Sequence, residues 1–410
     1  MKINNLLILI ALSPLATIAQ SIDLDEDTTT NLYDSRHGAC AMADIDNDGD
    51  LDLLITGRDG NLTNDRTTLY SNDGLGNFTE IIETGLSILT DSGSIAFADT
   101  DGDGDQDLLL TGRNSSTYYV HFYLNDGSGN FTPDTTQPFE PSGGGNLDFA
   151  DIDNDGDMDL FMTGFLAGNT RFSKLYQNDG TGNFSEITST PFLDIGGTSS
   201  SAFFDMDNDN DLDLILTGKN NNNEKKTTLY ENDGVGNFSL VSNTPFENVS
   251  NGGIAAADSD NDGDIDVLIN GENAISGFCQ LYLNDGTGAF NLLEGTPFIQ
   301  TIAGTADFAD FDNDNDMDIL VTGSAGGADF AAHIYENQGN NNFSLVDVLA
   351  TVYITSTALG DIDNDNDLDA IVTGIAQVSG SSFKSRVYKN MLTTLSTGTA
   401  AIGLKENIVL

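Results

Sequence analysis

The sequence predicts an all-β fold: a seven-bladed β-propeller of four-stranded blades, its ring closed by an N-terminal strand that completes the last blade. Three observations predict it. A nine-residue acidic block, first met as DIDNDGDLD at 44–52, occurs seven times at near-constant spacing. A second motif, first met as LYSNDGLGNF at 69–78, travels with it. Between the two, apolar residues follow strand patterns and no helical period.

The acidic blocks occupy 44–52, 99–107, 151–159, 205–213, 258–266, 310–318 and 361–369, with start-to-start steps of 55, 52, 54, 53, 52 and 51. A fixed period of this size indicates a repeat architecture in which each unit buries its faces against its neighbours. Before each block stands a short run of small and apolar residues, such as SIAFA (94–98) or GIAAA (253–257). That is strand one. After it comes LLITG (53–57), LLLTG (108–112) or LILTG (214–218), which is strand two. Strand three ends at Leu-Tyr, a Gly-rich turn follows, and a fourth run such as FTEII (78–82) completes the unit. Four strands per 50-odd residues match a propeller blade.

The seventh copy begins its second motif as VYKN at 387 and stops. The fourth-strand Phe lies 21 residues before the next block at Phe78 and Phe184, and the same step back from Asp44 lands on Asp23. Residues 21–32 therefore take a fourth-strand slot with no blade in front of them. Pairing them with blade seven removes the open edge of the ring.

The flanks read differently. Residues 1–19 carry Lys2, an apolar run at 6–12 and small residues up to Ala19, the pattern of a secretory signal peptide cleaved after Ala19. The run is too short to span a bilayer, and no later stretch is long enough. The propeller is expected over 20–392 and a tail or linker over 393–410, in a protein that is secreted or held at the outer cell surface.

Charge narrows the partners. Asp and Glu number 65 against 14 Lys and Arg, for a formal net charge of −51. Such a chain has no means of neutralising phosphates, which excludes nucleic acid, and it is repelled by anionic lipid. The seven blocks hold 35 of the 65 acids. Self-repulsion on this scale calls for a cation within the fold.

Carboxylates at alternate positions of a tight loop supply one. Side chains at the first, third, fifth and ninth positions converge if the backbone turns at the sixth, and the seventh carbonyl adds an oxygen. Hard oxygen donors in a flexible loop suit Ca²⁺. The sixth position is Gly49, Gly104, Gly156, Gly263, Asn210, Asn315 or Asn366, all residue types that tolerate positive φ. The candidate metal residues are Asp44, Asp46, Asp48, Asp50 and Asp52 in blade one, and Asp99, Asp101, Asp103, Asp105 and Asp107 in blade two. Blade three supplies Asp151, Asp153, Asp155, Asp157 and Asp159, and blade four Asp205, Asp207, Asp209, Asp211 and Asp213. Blade five supplies Asp258, Asp260, Asp262, Asp264 and Asp266. Blade six has Asp310, Asp312, Asp314, Asp316 and Asp318, and blade seven Asp361, Asp363, Asp365, Asp367 and Asp369. Up to seven Ca²⁺ ions are expected, one per blade. An EF-hand is excluded, because its twelfth position requires Glu and here holds Ile55, Leu110 or Met162 inside a β run. The N-D-G-x-G-N-F stretch reads as a turn between strands three and four, with its Phe plugging the core.

The unit A-D-x-D-x-D-G-D-x-D-L followed by L-Y-x-N-D-G-x-G-N-F resembles the FG-GAP/VCBS repeat, the Ca²⁺-loop blade of integrin-α-like propellers, over roughly 23–391. The resemblance implies Ca²⁺ on one face of the ring, ligated by the Asp residues above, with partners docking on the other. It implies a binding or adhesion role. This sequence departs from the pattern at Asn210, Asn315 and Asn366 and at Gln338 and Asn340 in blade six. The tail STGTAAIGLKENIVL resembles the linker before a type IX secretion sorting domain of gliding-type bacteria, but the domain itself, with its Pro-Asn-Pro signature, is missing: either the chain is truncated before it, which would imply surface attachment through a C-terminal sorting signal, or the likeness is accidental.

Alternating strand directions put the acidic loops and the N-D-G turns on one face, and the 2–3 loops with the blade-to-blade connections on the other. The 2–3 loops vary, as in RDGNLTNDR (58–66), RNSST (113–117), FLAGNTRF (165–172), KNNNNEKK (219–226) and SAGGADFAA (324–332). Variable loops on a constant scaffold carry recognition. Ten of the 14 cations lie in or beside these loops: Arg58, Arg66, Arg113, Arg171, Lys174, Lys219, Lys225, Lys226, Lys384 and Arg386. They read either as a site for an acidic glycan or protein carboxylate, or as solubilising charge kept away from the cation loops. His121 and His333 share one strand-three slot and read as strand residues, and no nucleophile, zinc or phosphate-loop motif is present. The expected function is a calcium-binding module for a protein or glycan ligand, not an enzyme. The alternative is a carbohydrate-active lyase or hydrolase. Cys40 and Cys279 fall in blades one and five, which are not neighbours, so no disulfide is expected.

Overall fold

A computed structural model describes residues 20–35, 37–58, 65–89, 91–326, 329–376 and 382–394. The segment 1–19 expected to be a signal peptide, most of the 393–410 tail and part of the first 2–3 loop lie outside the described residues. The described residues form strands and no helix.

Seven four-stranded antiparallel blades form the ring. Blade one is Cys40–Ala43, Asp52–Arg58, Asp65–Ser71 and Thr79–Glu80. Blade three, Leu147–Ala150, Asp159–Phe165, Arg171–Asn178 and Phe184–Ile187, shows the common register: Ala150 faces Asp159, Leu160 faces Tyr176, and Asn178 faces Phe184. The ninth aspartate of every acidic block is thus the first residue of strand two.

Strand two explains the architecture. In blades one to six its first six residues are all buried. A strand apolar on both faces must be covered on both faces, and here the covers are the neighbouring blades. The core is accordingly divided into seven layers, one at each blade–blade junction. The Phe of the N-D-G-x-G-N-F turn fills the layer toward the preceding blade, as Phe131, Phe184, Phe238, Phe290 and Phe343 do. The inter-blade connections add Phe139, Phe192, Phe246 and Phe298, which meet Tyr176, Tyr230, Tyr282 and Tyr335 edge-on at 4.9–5.2 Å. Those tyrosines close strand three. The hydroxyls of Tyr230, Tyr282 and Tyr335 accept the backbone N–H of Leu193, Glu247 and Ile299, fixing the connection that enters each blade.

The glycine that leads into strand one has a packing cause. It passes strand two so closely that a Cβ on Gly38 would lie 1.8 Å from the Thr56 carbonyl oxygen, and Gly145, Gly252 and Gly304 stand in the same way against Thr163, Asn270 and Thr322. Only glycine permits that approach.

The ring closes as the sequence predicts. Leu24, Asp25 and Glu26 pair with Asn390, Lys389 and Tyr388, making Leu24–Glu26 the fourth strand of blade seven. Gln20–Ser21 adds a short pairing with Thr393–Thr394. One feature differs from the sequence reading. The fourth strand of blade six and the first of blade seven are a single strand, Phe343–Gly360, so these two blades share one seven-stranded sheet. No turn residue interrupts VDVLATVYITSTALG, and the β-rich run continues from one blade into the next.

Cys40 and Cys279 are both free and buried, the first between blades seven and one, the second between blades five and six.

Closure through Leu24 is testable. Its side chain is buried between blades six and seven. Leu24→Ala is expected to cost about 2–4 kcal/mol in chemical denaturation. An unchanged midpoint would show that the N-terminal strand is not part of the closed ring.

Candidate functional site

The acidic loops repeat one geometry. The first aspartate accepts backbone N–H groups from the fifth and sixth residues: Asp44 takes Asp48 at 3.2 Å and Gly49 at 3.0 Å. Asp151, Asp205, Asp258, Asp310 and Asp361 do the same. The fifth aspartate accepts the N–H of the seventh residue, as Asp48 does from Asp50 at 3.0 Å. The loop can curl this tightly because two residues are left-handed. One is the predicted sixth position, at φ 93–96° for glycine and 71° for asparagine. The other is the fourth, where Asn47, Asn154, Asn208, Asn261, Asn313 and Asn364 lie at 56–63° and Gly102 at 74°.

Curling brings the first, third and fifth carboxylates together. Asp44, Asp46 and Asp48 present oxygens within 4.8 Å of one another, as do Asp99, Asp101 and Asp103, Asp151, Asp153 and Asp155, and Asp258, Asp260 and Asp262. In blade four the trio is Asp205, Asp207 and Asp213. The third aspartate carries the informative atom. One carboxylate oxygen of Asp46, Asp101, Asp153, Asp207, Asp260 and Asp363 is buried without a hydrogen-bond partner. Burial and the adjacent carboxylates push Asp46, Asp101, Asp153, Asp207 and Asp260 above the usual range. Burial, then Asp314, pushes Asp312 up to about 7.

The ninth aspartate is a clasp. Asp52 accepts the N–H of Ile45 at 3.2 Å on one oxygen and that of Asn72 at 2.8 Å on the other. Asp107, Asp159, Asp213, Asp266, Asp318 and Asp369 repeat both bonds. Burial raises all seven: Asp52, Asp107, Asp266 and Asp369 to about 6, Asp159 and Asp213 to about 7, and Asp318 to about 8.

The seventh aspartate turns away from its own loop. Asp50, Asp105, Asp211, Asp264 and Asp316 each accept the side-chain amide of the fourth-position Asn of the preceding blade, at 2.6–2.8 Å. Between blades six and seven, Asn313 donates instead to the Asn366 carbonyl at 2.9 Å. Blade two has Gly102 and sends no side chain to Asp157. Sequence reasoning missed this ring of links, although six Asn and one Gly at the fourth position signal it.

A second inter-blade staple was read only as a turn residue. The Asn that ends strand three donates its amide to the second loop residue of the preceding blade. Asn72 reaches Ile362, Asn125 Ile45, Asn178 Thr100, Asn232 Ile152, Asn284 Met206, Asn337 Ser259 and Asn390 Phe311, all at 2.6–2.8 Å. Its presence in all seven copies was the signal.

The residues fit a hard cation. Each loop offers oxygen donors alone, and in six blades they surround a desolvated carboxylate oxygen that has no protein donor; in blade seven Lys389 reaches the other oxygen of that carboxylate, Asp363, at 3.2 Å. Leaving such an atom unpaired costs about 1–3 kcal/mol or more. The first, third and fifth carboxylates would hold the ion, with the ninth reachable in blade four. The seventh would not contribute its side chain where it serves the neighbouring blade.

The other face is built from the starts of strand one. There all seven blades surround an axial cavity of about 680 Å³, lined mainly by Gly, Ser, Thr and Asn. Hydroxyls link successive blades around it: Ser94 donates to the Gly145 carbonyl at 2.7 Å, Ser200 accepts the Ile254 N–H at 3.2 Å, and Ser356 accepts the Cys40 N–H at 3.1 Å. One step further along the channel stand Asp148 and Asp307, at equivalent positions of blades three and six. Asp148 accepts Asn146 and the Ser201 hydroxyl, and Asp307 accepts Thr357 at 2.7 Å. Both side chains are largely buried, and burial pushes Asp148 up to about 7.

Most of the described basic residues of this face are engaged within the protein. Lys174 bonds Glu140 and Glu186 at 2.7 and 2.9 Å, Lys384 bonds Asp34 at 2.9 Å, and Arg386 bonds Glu26 at 2.9 Å. Arg113 pairs with Asp91 and Lys225 with Glu272. Arg171 is buried against the Asn220 carbonyl and the Phe165 ring. His121 stacks on Tyr119, and His333 approaches the Tyr335 hydroxyl at 3.2 Å, each on its own strand three. They are not brought together.

These features define a repeat-built propeller with one acidic loop per blade. Residues 44–110, 99–162, 165–216, 205–269 and 310–372 match the FG-GAP-like repeat, together well over half of the sequence, and the chain belongs to that family. No curated protein matches it. Among solved structures, the six-bladed fucose-recognising lectin of Aleuria aurantia aligns at 10% identity and a TM-score of 0.42, over 78% of this chain and 96% of that one. The NanB sialidase of Streptococcus pneumoniae, as its K499G mutant, aligns at 12% and 0.41 over 94% and 72%. The neuraminidase-like protein of the bat virus H18N11 aligns at 11% and 0.40 over 91% and 94%. At these scores the likeness carries no ligand or activity to this chain.

Two outcomes follow from the site. Gly102 has positive φ and open space around it, with the nearest atom to a built Cβ 4.0 Å away. Gly102→Asn is expected to supply the missing link to Asp157 and raise stability by about 1 kcal/mol in denaturant titration. A loss would mean the links are decorative. For Asp148, the folded value of about 7 lies above the unfolded one of 3.8, so the folded state holds the proton more tightly. Its contribution is full below pH 4 and is lost as pH rises through 7. Asp148→Asn should flatten the fall in melting temperature between pH 5 and 8, and an unaltered slope would contradict this.

Proposed function

We propose that this protein is an exported or surface-displayed calcium-binding propeller, residues 20–392 forming a binding or adhesion module for a protein or glycan ligand. The observation that carries the calcium reading is the buried, unpartnered oxygen of the third aspartate, repeated in six blades beside two further carboxylates. One such atom is an oddity. Six in the same place are a coordination site kept for a divalent ion, and Ca²⁺ suits the oxygen-only donors and the Gly or Asn turn. Calcium at millimolar levels outside the cell would neutralise loops that otherwise repel one another. The leader-like N-terminus and the acidic balance agree with that location.

The calcium loops are then scaffold, and ligand binding belongs to the opposite face. Binding is favoured over catalysis because the enclosed carboxylates Asp148 and Asp307 are occupied by neutral donors of their own and the adjacent blade.

The test is thermal melting with excess chelator and with added Ca²⁺. Removing the ion is expected to lower the melting temperature by at least about 5 °C, since a single site filled a hundredfold above its Kd contributes about 2.7 kcal/mol. A melting temperature indifferent to both would refute the calcium reading.

A further inference from the structure

The axial cavity has a chemistry that narrows the ligand, and the argument rests on the binding-module reading above. At about 680 Å³ it is of the size that small-molecule sites have. It opens on the face away from the acidic loops, because its lining comes from residues four to eight positions before each loop, with Ser324 from the far end of strand two in blade six. The wall presents hydroxyls and amides from successive blades, among them Ser94, Asn146, Thr198, Ser200, Asn251 and Thr305. Each of these side chains can both give and accept hydrogen bonds. Among the described residues no Lys or Arg lines the cavity, and His37 and Cys40 are the titratable side chains of its wall.

Deeper in the channel, Asp148 and Asp307 replace residues that are alanine in the other five blades: Ala41, Ala96, Ala202, Ala255 and Ala358. Asn146, which lines the cavity, donates to both oxygens of Asp148 at 3.0 Å. The cavity therefore leads toward two carboxylates, in a chain of net charge −51.

This combination excludes two ligand classes. An anionic group would enter a site whose described wall holds no Lys or Arg, against the field of the whole molecule. Nearby, Lys174, Lys225, Arg113 and Lys384 are engaged with Glu140, Glu186, Glu272, Asp91 and Asp34. An apolar ligand would strip water from the Asn251 amide, the Ser200 hydroxyl and the spare lone pairs of the hydroxyls that already donate within the wall, such as Ser94 to the Gly145 carbonyl. An uncharged polyhydroxylated ligand replaces that water bond for bond.

We infer that the axial cavity is the ligand site and that it accepts the end of a neutral carbohydrate chain while rejecting sugars that bear carboxylate or sulfate. The acidic-ligand option left open by the placement of cations in the sequence is thereby replaced. Recognition comes from a ring of side chains to which all the blades contribute, not from one variable 2–3 loop.

The experiment uses the calcium-loaded full chain on a glycan array carrying matched neutral and acidic oligosaccharides, with calorimetry on the hits. Ala39→Trp and Ser324→Trp fill the cavity from blades one and six, and Lys226→Ala alters a 2–3 loop. Neutral glycans are expected to bind, with affinity falling at least about tenfold in both tryptophan variants and unchanged in Lys226→Ala. The two variants should keep the wild-type melting temperature and its response to chelator, which separates a blocked site from a broken fold. Preference for acidic glycans, binding that survives both tryptophans, or no glycan binding at all would each overturn the inference. In those cases an unchanged response to chelator would leave the calcium scaffold standing, whereas loss of that response in the wild type would bring down the reading beneath it.

Discussion

A buried carboxylate repeated seven times holds this ring together. The ninth aspartate of each acidic loop starts strand two and accepts one N–H from the beginning of its loop and one from the end of strand three. The residue donating that second bond, the strand-three Asn, sends its amide to the preceding blade. A single constraint thus connects loop, strands two and three, and the neighbour. Each such carboxylate is held well above its usual range by burial. Hydrogen bonds alone therefore leave the arrangement electrostatically costly, and the acidic loop beside it adds further negative charge. The proposed divalent ion in the loop would resolve both problems together. On this view the aspartates are the condition on which a −51 chain can be compact, and recognition lies elsewhere.

Much of this was legible in the sequence, because a repeat displays its own alignment. Period, strand order, the left-handed sixth position and the use of residues near 24 to close the ring all follow from comparing seven copies. The missed features share a cause. They are contacts between blades, and their partners lie far apart along the chain. Asn125 meets Ile45 across 80 residues and Asn364 meets Asp50 across 314. No local pattern states that pairing. The fourth-position Asn and the strand-three Asn were visible as constants, yet each also fits a turn, and the turn explanation was sufficient until the neighbouring blade was in place. The merger of blades six and seven through Phe343–Gly360 was hidden for the opposite reason: a missing turn leaves no residue to notice.

The two faces divide the labour. One is held nearly invariant by Asn–Asp links, N-D-G turns and the acidic loops, with blade two's Gly102 as the single gap in the side-chain chain. The other is joined by Ser and Thr bonds that leave an opening on the axis. Cations gathered near the 2–3 loops suggested an anion site, but the acids beside them take them up. Exposed pairs of this kind contribute little stability, about 0–1 kcal/mol each. Their effect is to remove free positive charge from the face where a ligand would dock, leaving neutral hydrogen-bonding groups at its centre.

The most direct measurement is the number of calcium ions the folded chain takes up. Metal-stripped protein titrated with Ca²⁺ and weighed by native mass spectrometry should gain ions toward one per blade, and Asp46→Asn should remove one of them without unfolding the rest. A chain that stays folded and gains no ion, or an Asp46→Asn variant that gains as many as the wild type, would contradict the assignment of the acidic loops as the cation sites on which the ring depends.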